Sequence, residues 1–387
     1  MNPSAVMSTR VFCVVLVAAF WTGAVRAQDD AEVKTHYRKS EQMVSMRDGM
    51  KLFTSIYVPR DTSKKYPIML HRTPYSVAPY GPDLYKTDLG PSPLFQNERF
   101  INITFGSKTS LFYRENVELP FFNCLLKDKC ARKLPEALVF ETGSNQWRMY
   151  DHWPAPKVEK RSLYLQSNGR LSFDPAADRS VGGSEGFDEY ISDPNKPVPY
   201  INGIAIGMTR EYMIDDQRFA ATRPDVLVYE TPALQENVTI AGPITATLHV
   251  STCGTDSDYV VKVIDVFPND TPDPEPNPTG VKMGGYQMLV RGEPMRARFR
   301  NSFEKPEAMI PNQVTKVEFT LPDVNHSFLK GHKIMVQIQS TWFPLVDRNP
   351  QKFVDIYKAT EADFQKATQR IYRSGPYRSH LIVNVLK

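Results

Sequence analysis

No block of basic residues occurs anywhere in this 387-residue sequence, whose 47 Lys and Arg are nearly balanced by 43 Asp and Glu. A nucleic-acid partner requires a concentrated basic footprint, so that class is excluded. Long hydrophobic runs are missing too: the apolar stretch from Val11 to Phe20 is well short of the ~20 residues of a bilayer-spanning helix. Cysteine is scarce, and Cys13, Cys124, Cys130 and Cys253 have no spacing that suits a zinc site. Glycine, at 20 residues, is outnumbered by 31 prolines. Proline is costly inside helices and confined to edges and loops in sheets, so the balance favours strands joined by long ordered loops over a helical bundle. With 41% hydrophobic and 23% charged residues the composition is ordinary for a globular chain, which excludes disorder, collagen and coiled coil. The length suggests two domains.

The first segment has the layout of an export signal. Arg10 precedes the apolar run, and Val25-Arg26-Ala27 places small or compact residues where a signal peptidase cuts, giving a predicted signal peptide over 1–27 cleaved after Ala27. The mature chain is then expected to be exported, periplasmic or secreted, with no stable membrane anchor. Cleavage removes two arginines and no acid, leaving 45 basic and 43 acidic residues. Three cysteines remain. Cys124 and Cys130 are near enough in sequence to pair, but the reading treats them as incidental. Sequons begin at Asn102, Asn237, Asn269 and Asn325, relevant only in a eukaryotic secretory pathway.

Past the signal, Met43–Met46 and Lys51–Val58 read as two strands around the turn Arg47-Asp48-Gly49. Tyr66–Leu70 is a compact apolar run of the kind buried in a sheet, but no crossover helix or second parallel strand follows it. Residues 109–127 have a broad apolar helical stripe that includes Leu111, Phe122 and Leu125, with a kink expected at Pro120. From Ala137 on, the pattern is strands. Ile244, Ala246, Leu248 and Val250 alternate with polar residues, as do Val317, Phe319 and Leu321, then Ile334, Val336 and Ile338, and finally Leu381, Val383 and Val385. Period-two alternation with one apolar face, broken by Pro/Gly/Asp loops, predicts a jelly-roll β-sandwich.

Several stretches are more specific. Met46-Arg47-Asp48-Gly49 followed by Arg72-Thr73-Pro74-Tyr75 resembles the start of the S15/CocE/NonD hydrolases, which include X-Pro dipeptidyl-peptidases, cocaine-esterase-like enzymes and α-amino-acid ester hydrolases. Tyr113-Arg114-Glu115-Asn116, Glu141-Thr142-Gly143, Asp256-Ser257-Asp258, Gly331-His332 and Ser340-Thr341-Trp342-Phe343-Pro344 resemble later parts of the same family. The resemblance runs from about residue 40 onward. It implies a mainly β chain: a C-terminal jelly-roll, galactose-binding-like sandwich over 133–387, preceded over 40–130 by a truncated α/β-hydrolase remnant. It also implies acyl hydrolysis of X-Pro peptides or amino-acid esters as the family's reaction, without a cofactor or metal.

Such a reaction needs a serine on a strand–turn–helix elbow, with Asp and His partners. The interval that should hold them, Ser76 to Phe112, is 37 residues long and contains no histidine. The join near Phe100–Ile101 reads as an internal deletion of most of the catalytic domain. The one G-x-S-x-G string, Gly182 to Gly186, follows no buried strand and is not read as a nucleophile. By resemblance Tyr75 is an oxyanion-hole candidate, a donor that stabilises charge present only in the transition state. No Ser, Asp or His is assignable beside it, so the chain is expected to be inactive. The alternative is a non-catalytic jelly-roll module that binds peptide or glycan, and the sequence is compatible with a homo-oligomer.

The histidines supply no other site. His36, His152 and His380 have no chemical company in sequence, His71 stands on the strand before Tyr75 without an evident partner, and His249 is expected at the surface. Asp323, His326 and His332 have a metal-ligand-like spacing but read as loop and strand-start residues, so no metal is assigned. Trp147, Trp153 and Trp342 are expected to pack rather than to bind sugars.

Overall fold

The structure, a computed structural model, describes residues 31–47, 49–63, 70, 73, 76–86, 105–130, 134–175, 186–205, 209, 211–275, 277 and 280–387. The residues 1–27 of the expected signal peptide, the run 66–69, His71, Tyr75, the join at 100–101, Asn102 and the 182–185 part of the G-x-S-x-G string lie outside these. The chain divides into two compact units, Met1–Asn97 and Glu98–Lys387.

In the first unit a short helix α1 (Ala31–His36) leads into strands β1 (Tyr37–Ser45) and β2 (Lys51–Pro59), which pair antiparallel around the turn expected at Arg47 to Gly49. Lys39 anchors the loop that follows, its Nζ donating to the carbonyls of Pro79, Gly81 and Leu84 at 2.5–2.9 Å.

The second unit opens with one helical stretch in three pieces: α2 (Thr109–Tyr113), a π-helical turn over 114–118, and α3 (Leu119–Lys127). The expected kink is thus a π turn just ahead of Pro120. A proline lacks the N–H for the i→i−4 ladder and its ring crowds the i−4 carbonyl, so widening the preceding turn relieves both. Asp128 closes the helix in a left-handed conformation. The reversal brings Cys124 and Cys130 together as a disulfide, correcting their reading as incidental. The apolar stripe on this helix is not buried: Leu119 and Leu125 are 57% and 62% exposed, with Phe121 and Phe122 also open.

The remainder is a β-sandwich. A two-stranded hairpin, β3 (Ala137–Glu141) with β4 (Gln146–Tyr150), precedes an eleven-stranded sheet folded over on itself. The strands of that sheet are β5 (Val158–Gln166), β6 (Arg170–Ser172), β7 (Phe187–Ser192), β8 (Val226–Glu230), β9 (Val238–Thr252), β10 (Asp258–Val266), β11 (Gln287–Arg296), β12 (Thr315–Phe328), β13 (Lys333–Gln339), β14 (Ala367–Tyr372) and β15 (His380–Leu386). A one-turn helix, α4 (Arg218–Ala221), precedes β8. The order is β11-β10-β13-β8-β6-β5-β15-β9-β14-β7, with β12 on the free side of β9. The alternating residues of the sequence face inward as expected. Ile244, Leu248, Val263, Val336, Leu321 and Leu381, each fully buried, belong to one apolar core between the two limbs. A second cluster, built on Val260, Ile264, Met335 and Trp342, covers the outer face of the β10–β13 limb, packed beneath Tyr200 and Tyr212. No helix among the described residues is long and apolar enough to cross a membrane.

Candidate functional site

The best-defined cluster of chemistry-bearing side chains sits where the β3–β4 hairpin meets the sandwich. A register shift between Leu321 and Val324 resets β12, and from Val324 to Phe328 every residue is buried. The shift carries His326 inward, to 1% exposure. Its Nδ1 lies 2.8 Å from the Thr142 hydroxyl and its Nε2 lies 3.2 Å from Asp265 Oδ2. The other Asp265 oxygen is 2.8 Å from His332 Nδ1. Burial alone would raise the Asp265 carboxyl pKa, but the hydrogen bonds from His326 and His332 outweigh it and hold the group below its usual range. Backbone bonds from Thr142 N to Asn325 O and from Ser327 N to Thr142 O complete the junction. Gly143 allows this approach: its φ is +85°, and a Cβ there would stand 2.0 Å from Ser327 O.

A hydroxyl, an imidazole and a carboxylate in series look like a nucleophile, base and orienter. Here the imidazole and the carboxylate are buried, Thr142 Oγ1 is also within 3.3 Å of Asn325 O, and neither groove described below reaches the series. Its chemistry is that of a clamp joining β10, β12 and the hairpin. The metal-like spacing of Asp323, His326 and His332 resolves differently from its sequence form. Asp323 accepts instead from Trp153 Nε1 at 2.5 Å, and Asp265, 61 residues before His326, takes its place. Among the described residues no group of three or more potential ligands is arranged to hold a metal.

A second polar network braces the opposite end of the sandwich. Arg298 Nε donates to Asp256 at 2.7 Å, Asn349 Nδ2 donates to Asp258 at 2.7 Å, and Arg296 grips the two oxygens of Asp258 at 2.9 and 3.0 Å. Beside it lies a groove of about 790 Å³ lined by Met295, Phe299, Phe303, Phe319, Leu345 and Asp347, among others. Phe303 is 78% exposed and stacks on Phe299 at 6.0 Å. A smaller groove of about 550 Å³ adjoins at Asp347 and includes Phe343, Arg348 and Tyr357.

The remaining candidates have structural employment. Trp147 stacks on Phe112 at 4.9 Å, Trp342 is 4% exposed, and Trp153 is tied to Asp323, so all three tryptophans pack as expected. His249 is half-buried rather than at the surface, and burial, with His380 nearby, lowers its pKa. His380 Nδ1 lies 2.9 Å from Arg378 O; His152 is exposed. Tyr75, His71 and Ser184 fall outside the described residues. What the sequence reading missed is Asp265 and the buried Lys262, whose partners are distant in sequence.

Residues 130–382 match the family model of the X-Pro dipeptidyl-peptidase C-terminal non-catalytic domain. The chain belongs to that family. Its relatives lie in the S15/CocE/NonD group. An aminopeptidase from a marine sediment archaeon, a thaumarchaeon, has 41% sequence identity to it and a TM-score of 0.65, over 72% of this chain and 45% of that one. A selenomethionine-labelled α-amino-acid ester hydrolase has 40% identity and a TM-score of 0.66, over 72% and 46%. The cocaine esterase of Rhodococcus sp. (strain MB1 Bresler) is 28% identical over 257 residues, 66% of this chain and 42% of that protein. The chain therefore spans less than half the length of these relatives.

Proposed function

We propose that this chain is an exported, catalytically silent form of a CocE/X-Pro-dipeptidyl-peptidase-type hydrolase, in which the β-domain persists and the remnant before it performs no acyl transfer. One observation carries the reading: the family match falls on the domain described as non-catalytic, while the 37 residues from Ser76 to Phe112 contain no histidine. By family the substrate is a peptide or amino-acid ester, and without a nucleophile and base Tyr75 would have no oxyanion to stabilise. The test is direct. Purified chain incubated with X-Pro anilides and amino-acid esters is expected to release no product above buffer, and a fluorophosphonate probe is expected to leave it unlabelled. Stoichiometric labelling would overturn the reading.

A second role, recognition without turnover, is favoured by the larger groove. Phe299 and Phe303 present aromatic surface beside Asp347 at a volume in the range of small-ligand sites. Saturable binding of a peptide or glycan, abolished by Phe303→Ala and accompanied by no turnover, would support it.

A further inference from the structure

The outer face of the β10–β13 limb carries a polar row inside an otherwise apolar layer. Lys262 pairs with Gln337 on one side and with Gly292 on the other, and Gln339 is the next residue on the same face of β13. Lys262, Gln337 and Gln339 are all 0% exposed. The Lys262 ammonium or amine group donates to Gln217 Oε1 at 3.1 Å and stands 5.3 Å from the Trp342 ring and 5.9 Å from the Phe219 ring. A lysine has up to three hydrogens to donate, so at least one is left without a near acceptor. Trp342 folds across Gly292, where a Cβ would meet the indole at 2.7 Å.

Three further atoms in this row are buried without a partner: Gln337 Oε1, Gln339 Oε1 and Trp342 Nε1. Two are acceptors and one is a donor. Cross-strand neighbours have Cβ atoms about 5 Å apart and diagonal ones about 7–8 Å, so Gln337 and Gln339 both flank Lys262, whose Nζ also lies 5.3 Å from the Trp342 ring. Leaving a buried polar atom unpaired costs about 1–3 kcal/mol, and three around one lysine would be a heavy load for a β-domain to carry.

We propose that Lys262, Gln337, Gln339 and Trp342 enclose an internal hydration site, in which ordered water accepts from Lys262 Nζ and Trp342 Nε1 and donates to the two glutamine carbonyls. The donor set decides the ligand. An anion would satisfy the lysine and indole but face two carbonyl oxygens, and a metal cation would meet the lysine. Water both donates and accepts, as this mixed set of groups requires, and buried waters typically make about three such bonds. The site fastens the segment around Gln217 to the sheet through a molecule as well as through the Lys262–Gln217 bond. It has no part in the hydrolase reading and stands or falls separately from it.

The test is a crystal structure of the full chain at about 1.5 Å, collected from crystals grown with bromide as the only halide. Density for water within hydrogen-bonding distance of both Lys262 Nζ and Gln337 Oε1, with no bromide anomalous peak, is the expected result. A dry space with both glutamines rotated onto protein partners would overturn the proposal, as would an anomalous peak at the site. In solution, the Gln337 and Gln339 side-chain amides of the unmodified protein are expected to show cross-relaxation with long-lived water. Lys262→Met is expected to abolish that signal at Gln337; persistence of the full signal in the folded variant would count against the site.

Discussion

His326 Nε2 lies 3.2 Å from Asp265 Oδ2, and both side chains are 1% exposed. The pair links β12 to β10 inside the sandwich, and through Thr142 it also fixes the hairpin that precedes the sandwich. Replacing the carboxylate with an amide, Asp265→Asn, presents an N–H₂ group to one of two imidazoles that now donate to it. Breaking one member of a buried charged network costs about 3–5 kcal/mol, and chemical denaturation of the full chain is expected to show a loss of that order. The pH dependence has a definite sign. Because the folded Asp265 pKa is held below its unfolded value, its contribution is complete above the ordinary carboxylate range and is lost as the pH falls through the lower folded value. The variant is expected to lose part of its acid sensitivity below about pH 4. An unchanged acid-unfolding slope would show that Asp265 is not the group responsible.

Lys262 gives a dependence of the same sign in a higher pH window. Burial lowers its pKa from 10.5 to about 7, so between those values the unfolded chain binds more protons and stability rises with pH. Lys262→Met removes the cost of burying an ionisable group but leaves Gln217 Oε1 without its donor. At pH 7 the variant is expected to be more stable by roughly 1–3 kcal/mol, a gain that shrinks to nothing or reverses near pH 10. Melting curves of both proteins from pH 6.5 to 10 would check this. A difference that does not vary with pH would remove the titration from the account.

Gly143→Ala combines a positive φ with a backbone oxygen where the new methyl would stand. Strain and collision together are expected to cost about 2–4 kcal/mol in denaturant titrations. Gly375→Ala is the comparison, since Gly375 has φ +59° but nothing within 4 Å; it is expected to cost about 1 kcal/mol. Equal losses at the two positions would mean that the close approach at Ser327 is not rigid.

The open apolar face of α3 makes a prediction about solubility rather than stability. Leu119→Lys with Leu125→Lys places two charges where side chains are already more than half exposed. Unfolding free energy is expected to stay within about 0.5 kcal/mol, while light scattering of the concentrated chain falls. A large drop in stability would show these leucines to be core residues.

The sandwich was readable because burial of one sheet face writes itself into every second residue: Ile244 to Val250, Val317 to Leu321 and Ile334 to Ile338 all point as their alternation requires. Local chemistry was harder. Pro120 is expected to kink the helix, and the form that the kink takes, a π turn over 114–118, is not legible from the proline alone. Asp323, His326 and His332 read as loop and strand-start residues with no metal assigned, and the carboxylate that meets the two histidines could not be foreseen, because a spacing along one strand and its loop says nothing about a distant strand. Asp265 reaches His326 across 61 residues, Thr142 across 184, and Lys262 meets Gln217 across 45. Polar groups paired at such separations leave no periodic trace, whereas apolar ones do.

Strand β15 is sandwiched between β5 and β9, with Val383 opposite Arg161 and Leu381 opposite Ala246. The sheet therefore cannot be completed until a segment more than 200 residues downstream of β5 has been made. Closing contacts that distant are slow to form, because chain entropy is spent before they return any energy. During synthesis β5 and β9 would wait with open edges, the state most prone to pairing with a neighbouring chain. Yield on expression should thus depend on temperature and on how fast the ribosome reaches His380, more than on the stability of the finished fold.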